Sequence, residues 1–500
     1  MKKLLFLKVL FCLFLLSEIT AQNTCSGNWL SVQGNKLLDS NDNEVILSGV
    51  NWFGFETSQN LLHGLWARDL KSVLYQSKEL GFNCFRIPWH NLMLRDGVET
   101  YKPNLWVQDL LTNNGETGPY SNLYLEGKRK PIEVLDEIIK WCQENDMKVI
   151  LDCHSRNPDG YLAEGLWYTN TVSEDEWIAD WVFMADRYKD YDAVIGMDIN
   201  NEPHGKIDDP EGARWGNGDP ATDWRLAAEK CGNAILKANP NVLIIVEGIE
   251  AYNKPDGTET SYWWGGNLQG ARDYPIRISD MSKLMYSPHE YGPTVYAQKW
   301  FDVPEFPDNM PDIWEEQFNF LNTNGTSPLF VGELGIKTRQ GKDEVWFAKF
   351  IDFIKTQKLH FAFWSLNPNS GDTGGILADG WFDVVDWKME YLKPLLFDLI
   401  PNCSASSTLT VNEIGIDAGS EFAIYPNPVE DILSINNNPK DAIKRIIIRD
   451  VNGKVIYTIN TKGSQSNTYK QKVTDLTPGM YIANIITANG EYQIKKFIKK

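Results

Sequence analysis

Two glutamates that close apolar runs in this chain could form a catalytic pair. Glu202 closes one such run, in "MDINNEPHGK" at Met197–Lys206, and Glu333 sits in another, "FVGELG" at Phe330–Gly335. Paired carboxyls of this kind suit the cleavage of an acetal: one protonates the departing oxygen while the other attacks or stabilises the positive anomeric carbon. Retaining enzymes hold the two groups ~5–5.5 Å apart and inverting ones ~6.5–9.5 Å apart. Separation along a sequence does not choose between them. A lone glutamate after a strand is more often a rim ion pair, so the reading depends on its neighbours.

Those neighbours have matching work. Asn201 can bond a sugar 2-hydroxyl, a contact that strengthens in the transition state. Arg86 beside Glu333 would favour its charged, nucleophilic form, Tyr291 would donate to the same carboxylate, and His289 would orient Glu202. Opposite environments then leave one carboxyl charged and its partner protonated. Arg86, His154, Glu202, His289, Glu333 and Trp364 each follow directly on an apolar run. All 19 tryptophans precede residue 388, and Trp66, Trp264 and Trp364 lie in loops or at strand exits. An indole offers a flat apolar face with one donor, which suits the C–H face of a sugar ring. His154, His204 and His289 stand near Asp152, Glu202 and Glu290 without the spacing of a metal motif, and neither metal nor other cofactor is expected.

Positioning these residues falls to eight apolar runs from Ile46 onward: "VILSGVNW", "FNCFRIPW", "KVILDCHS", "VIGMDINNE", "VLIIVEG", "LMYSPHEY", "LFVGELG" and "FAFWSLNP". Amphipathic stretches such as "PIEVLDEIIKWCQEND" lie between them. Strands alternating with helices imply parallel pairing. Eight such units match a closed (β/α)8 TIM barrel of the α/β class, which gathers its strand exits around one rim. An open doubly wound sheet is the competitor, but "GVNWFGFET" is no glycine-rich phosphate loop. After a small, polar linker, short alternating strands with turns at "VNGK" and "ANGE" predict a small antiparallel β-sandwich. The expected boundaries are a signal peptide over 1–21, the barrel over 22–402, a linker over 403–420 and the sandwich over 421–500.

The net charge of −19 argues against nucleic acid or an anionic membrane as partner. From Glu421 to Lys500 the balance reverses, with 12 Lys and Arg against 7 Asp and Glu. The excess negative charge belongs to the barrel and suits an uncharged substrate. No interior segment carries the ~20 apolar residues of a membrane span. The start, "MKKLLFLKVLFCLFLLSEITA", reads as a secretory signal, with a retained anchor as the alternative. Cys84, Cys142, Cys153 and Cys231 sit in apolar patterns and read as buried thiols. Cys25 and Cys403 bracket the barrel, and a disulfide between them would suit an oxidising compartment.

The motifs "FRIPW", "ILDCHS", "NNEPHG", "SPHEYGPTVY", "VGELG" and "FWSLNPNSGDTGGIL" resemble glycoside hydrolase family 5, in particular its bacterial endo-β-1,4-glucanases, over approximately residues 25–402. They recur in order at every strand exit after the first strand except the fifth. The resemblance implies a retaining double displacement on cellulose or related β-glucans, with Glu202 as acid/base and Glu333 as nucleophile. It makes Arg86, His154, Asn201, His289, Tyr291 and Trp364 the surrounding shell, and Trp66 and Trp264 glucose-stacking platforms. One departure is Cys153, where related enzymes often carry arginine; it is expected to point away from the site. The tail, through "YPNP", "VNGKVI" and "LTPGMYIANI", resembles the C-terminal sorting domain of the type IX secretion system, with a carbohydrate-binding or fibronectin-like sandwich as the alternative. The implied protein is a monomer, secreted or at the cell surface, that meets a β-glucan and, through its tail, a secretion machinery. Alternatives are other family 5 activities (mannanase, xyloglucanase, β-1,3-glucanase), a non-catalytic glycan-binding barrel, or a surface adhesion protein.

Overall fold

The computed structural model describes residues 27–104, 122–403, 422–436, 443–450, 455–461, 468–487 and 492–500. The expected signal peptide and most of the expected linker lie outside these residues. The chain divides into two compact units, Met1–Ser407 and Thr408–Lys500.

The first unit is built on nine parallel strand segments: β1 Ser48–Asn51, β2 Cys84–His90, β3 Lys148–Ser155, β4 Val194–Asp198, β5 Leu243–Glu247, β6 Leu284–Ser287, β7 His289–Tyr291, β8 Phe330–Gly335 and β9 His360–Phe363. β6 pairs with β5 and β7 with β8, while Pro288 alone separates β6 from β7. A proline has no N–H to give a ladder, so one barrel stave is written as two segments. Tyr286 also bridges to Leu329, on the β8 side. The sheet therefore closes as eight staves, as the eight apolar runs predict.

The crossovers are helical for local reasons. Pro131 opens Pro131–Glu144, where its missing N–H costs nothing. Ser173 accepts from the Glu176 N–H, and Glu176 reaches back to the Ser173 N–H, closing a capping box at the start of Glu174–Arg187. Such a cap contributes about 1 kcal/mol. Asp223 caps Trp224–Ala238 singly, its carboxylate accepting the Arg225 N–H. The buried faces of these helices join the outward faces of the staves in the main core, around Val134, Ile138, Trp177, Trp181, Trp224 and Ile235.

Inside the barrel, alternation sorts residues by height. Ile150, Asp152 and His154 alternate up β3, as do Leu243, Ile245 and Glu247 up β5 and Cys84 and Arg86 up β2. The lower members join Ile195, Met285, Phe330 and Ala362 in a separate apolar cluster. Leu37, in the N-terminal hairpin Ser31–Gln33 and Lys36–Leu38, and Leu30 just before it belong to the same cluster. Cys84, Cys142, Cys153 and Cys231 are buried free thiols. Cys403 is disulfide-bonded; Cys25, its expected partner, lies outside the described residues. No helix among the described residues is long and apolar enough to cross a membrane.

The second unit holds two antiparallel sheets. Ile432–Asn436 pairs with Ile424–Tyr425 and Thr468–Lys472 in one, and Ile443–Asp450 lies between Val455–Asn460 and Gly479–Thr487 in the other, with Tyr492–Lys499 at its edge. Leu433 and Ile435 from the first sheet share one core with Ile446, Ile448, Ala483 and Phe497 from the second. That shared core makes the tail a sandwich.

Candidate active site

The C-terminal ends of the staves carry a buried network around one cation. Arg86 is fully buried, and its guanidinium meets four carboxylates: Asp198 at 2.8 Å, Glu333 at 2.8 Å, Glu247 at 3.0 Å and Asp152 at 3.1 Å. It also donates to Asn201 Oδ1 at 3.0 Å and to Asn51 Oδ1 at 3.1 Å. A planar fork with five donors can serve so many acceptors where an ammonium could not.

Glu333 is 4 % exposed. Arg86 Nη1 donates to its Oε1 and the Tyr291 hydroxyl to its Oε2, so each oxygen meets a strong donor. Glu202 sits higher, its side chain 18 % exposed, with His289 Nδ1 2.9 Å from Oε1. The same nitrogen lies 3.7 Å from Glu333 Oε2. One carboxylate oxygen of Glu202 comes within 4.8 Å of one of Glu333. Asn201, whose Oδ1 is taken by Arg86, keeps its amide NH2 to donate.

The acids are not equivalent. Burial pushes the Glu202 carboxyl up to about 7 against the pull of its His289 hydrogen bond, and the Glu333 and Glu247 charges add to the rise. Burial likewise raises Glu247 to about 8 despite Arg86, and lifts Asp198 well above its ordinary value with help from Glu247. Burial would also raise Asp152, but Arg86 and His154 outweigh it and hold the carboxyl below its usual range. His154, with Nδ1 2.7 Å from Asp152, is raised because that carboxylate overcomes the cost of burying its charge.

Aromatic rings flank this network. Trp364 lies near-parallel to His154 and to Phe53, with centroids 5.5 Å from each. A cavity of about 270 Å³ opens beside them, lined by Phe53, Glu56, His63, His154, Trp364 and Asp372 among others. Trp66 contacts His63, a lining residue, and meets Trp381 edge-on. Trp264 stacks on His204 with centroids 3.7 Å apart, and His204 Nδ1 bonds the Glu202 carbonyl at 2.7 Å. Trp66 follows stave one and Trp264 follows stave five, so half the barrel's circumference separates them.

Arg86, Asn201, Glu202, His289, Tyr291 and Glu333 thus form one contact network, with His154 joined through Asp152 and Trp364 through His154. Trp264 joins it through His204, and Trp66 only more distantly through His63 and Phe53, from opposite flanks. The Cys153 thiol faces Asn91 Oδ1 at 3.2 Å, away from the carboxylate pair. Sequence reasoning missed Asn51, Asp198 and Glu247, and weighed Asp152 only as a metal ligand. For Glu247 the signal was present, because it ends the fifth apolar run as Glu202 and Glu333 end theirs. Acid and histidine triplets such as Asp198, Glu247 and His289 have ligand atoms within 4.8 Å of one another. The Arg86 guanidinium already supplies the positive charge that their carboxylates face. The arrangement can donate a proton from one carboxyl while a second, held by a guanidinium and a phenol, faces the same small space.

Residues 38–370 match the cellulase family, glycosyl hydrolase family 5, and residues 423–500 match a secretion system C-terminal sorting domain. The chain is 39% identical over 376 residues to an endoglucanase of Paenibacillus polymyxa, covering 74% of this chain and 88% of that one. Its fold is similar to the catalytic domain of the major endoglucanase of Xanthomonas campestris pv. campestris, with a TM-score of 0.66 and 37% identity over 73% of this chain and 99% of the other. It is also similar to an endocellulase of Pyrococcus horikoshii crystallised in complex with cellotetraose, with a TM-score of 0.65 and 38% identity over 74% of this chain and 98% of that one. With its barrel, its buried carboxylate pair and these likenesses, the chain belongs to the cellulase family of glycoside hydrolases, family 5.

Proposed function

We propose that the protein is a secreted, retaining endo-β-1,4-glucanase that cuts internal bonds of cellulose or related β-glucans. The observation that carries this reading is the approach of the Glu202 and Glu333 carboxylates to within 4.8 Å. That approach suits the ~5–5.5 Å carboxyl separation of a retaining enzyme better than the ~6.5–9.5 Å of an inverting one. Glu333 attacks the anomeric carbon as Glu202 gives its proton to the departing glycosidic oxygen, so one C–O bond breaks as another forms. Water then gives its proton to Glu202 and its hydroxyl to the same carbon, releasing Glu333 and restoring both groups. Asn201 bonds the 2-hydroxyl, His289 and Tyr291 orient the two carboxyls, and His154 and Trp364 wall the sugar beside the attack site.

Internal cleavage is supported by Trp66 and Trp264, whose places across the rim suit a chain running past both sides of the pair. Relatives named endoglucanase and endocellulase support the same choice. Residues 1–21 act as signal peptide, 22–402 as catalytic domain, 403–420 as linker and 421–500 as a type IX sorting domain; one relative is named a major extracellular endoglucanase. Proton NMR of cellotetraose hydrolysis by the full chain tests the mechanism. The first new reducing end should appear as the β-anomer, ahead of mutarotation. Initial release of the α-anomer would reject a retaining displacement.

A further inference from the structure

Glu247 ends β5 with no exposed surface, so it cannot touch a substrate. Its Oε2 accepts the Glu202 backbone N–H at 2.8 Å. Its Oε1 lies 3.0 Å from Arg86 Nη2 and 3.3 Å from His289 Nε2. The other nitrogen of that imidazole meets the Glu202 carboxyl at 2.9 Å. Glu247 therefore holds Glu202 directly at its main chain, and stands beside the far nitrogen of the imidazole that meets its carboxyl, close but without a hydrogen bond.

That main chain needs holding. Glu202 has φ +43°, a left-handed conformation that side-chain-bearing residues adopt only where their surroundings enforce it. The neighbourhood is shaped for the contact. At Gly265, itself at φ +68°, a Cβ would stand 2.5 Å from Glu247 Oε2 and 3.4 Å from Glu202 Cγ. Trp224 Nε1 also bonds the Glu247 carbonyl at 2.9 Å, fixing the end of the strand. Arg86 depends less on Glu247, because Asp152, Asp198, Glu333, Asn51 and Asn201 also hold it.

We infer that Glu247 is a positioning residue for Glu202, fixing the backbone that carries the carboxyl which delivers the proton to the leaving oxygen. This rests on the acid/base role proposed above for Glu202. A positioning residue of that kind matters in proportion to how badly the leaving group needs a proton.

The test compares kcat/KM of the full chain and its Glu202→Ala, Glu247→Ala and Glu247→Gln variants on cellotetraose and on 2,4-dinitrophenyl β-cellobioside. The dinitrophenolate leaves without protonation. Glu202→Ala should lose about 10³-fold on cellotetraose and less than about tenfold on the aryl substrate. Glu247→Ala should lose about 30- to 100-fold on cellotetraose and under about threefold on the aryl glycoside. Glu247→Gln keeps an acceptor for the Glu202 N–H and should recover part of the loss, with the same dependence on leaving group. If Glu247→Ala lacks a cooperative melt, Glu247→Gln carries the test alone, with about a fivefold loss confined to cellotetraose. Equal losses on both substrates, or none on either, would overturn the inference. Equal losses in Glu202→Ala would instead overturn the role given to Glu202.

Discussion

The two ends of one barrel are made from the same staves and have opposite chemistry. At the base, Leu37, Ile150, Leu243, Ile245, Phe330 and Ala362 fill the interior with hydrocarbon and need no partners beyond contact. At the mouth, two or three residues further along, Arg86, Asp152, Asp198, Glu247 and Glu333 fill a comparably buried space with charge. Apolar burial contributes stability wherever it occurs. Burying four carboxyls around one guanidinium costs desolvation that the ion pairs only partly return. The lesson is a division of labour: the base holds the barrel closed, and the mouth carries groups whose worth lies in transition-state contacts.

The sharpest way to test that division is Glu333→Ala. Activity on β-glucan should fall by about 10⁵-fold or more. The urea midpoint should hold or rise, since Arg86 keeps three carboxylates after the change. Loss of the fold along with activity would break the contrast. Phe330→Ala at the base should do the reverse, costing about 3–5 kcal/mol in urea unfolding while kcat per folded molecule stays within about twofold. The smallest effect is in pH. Glu202 must be protonated to act as the acid, and its folded value is about 7. The alkaline limb of kcat/KM should therefore begin near pH 7 and fall about tenfold per unit above it. A limb that begins near pH 5 would place another environment around Glu202.

The barrel was legible because its signals are local and repeated. An apolar run of strand length, a capped amphipathic helix and a polar residue at each strand exit need no knowledge of distant contacts. "VLIIVEG" is instructive as a partial failure. Its five-residue apolar run gave the stave, yet Glu247 looked like any charge leaving a strand for solvent. Asp198 was passed over within "MDINNE" for the same reason. Both are fully buried, because seven other staves close over them, and no window of sequence contains those staves. The interruption at Pro288 was visible as a residue, while its consequence, one stave shared between two segments, depended on pairing with β5 and β8.

By itself the sequence determined which residues can do chemistry and the order of elements that carries them, since side-chain type and periodicity are properties of neighbouring residues. Only the tertiary structure decided the approach of the Glu202 and Glu333 carboxylates to within 4.8 Å, the raised pKa of Glu202 and the hold of Glu247 on it. Distance and desolvation belong to pairs of residues from different staves, and closure of the barrel sets both together.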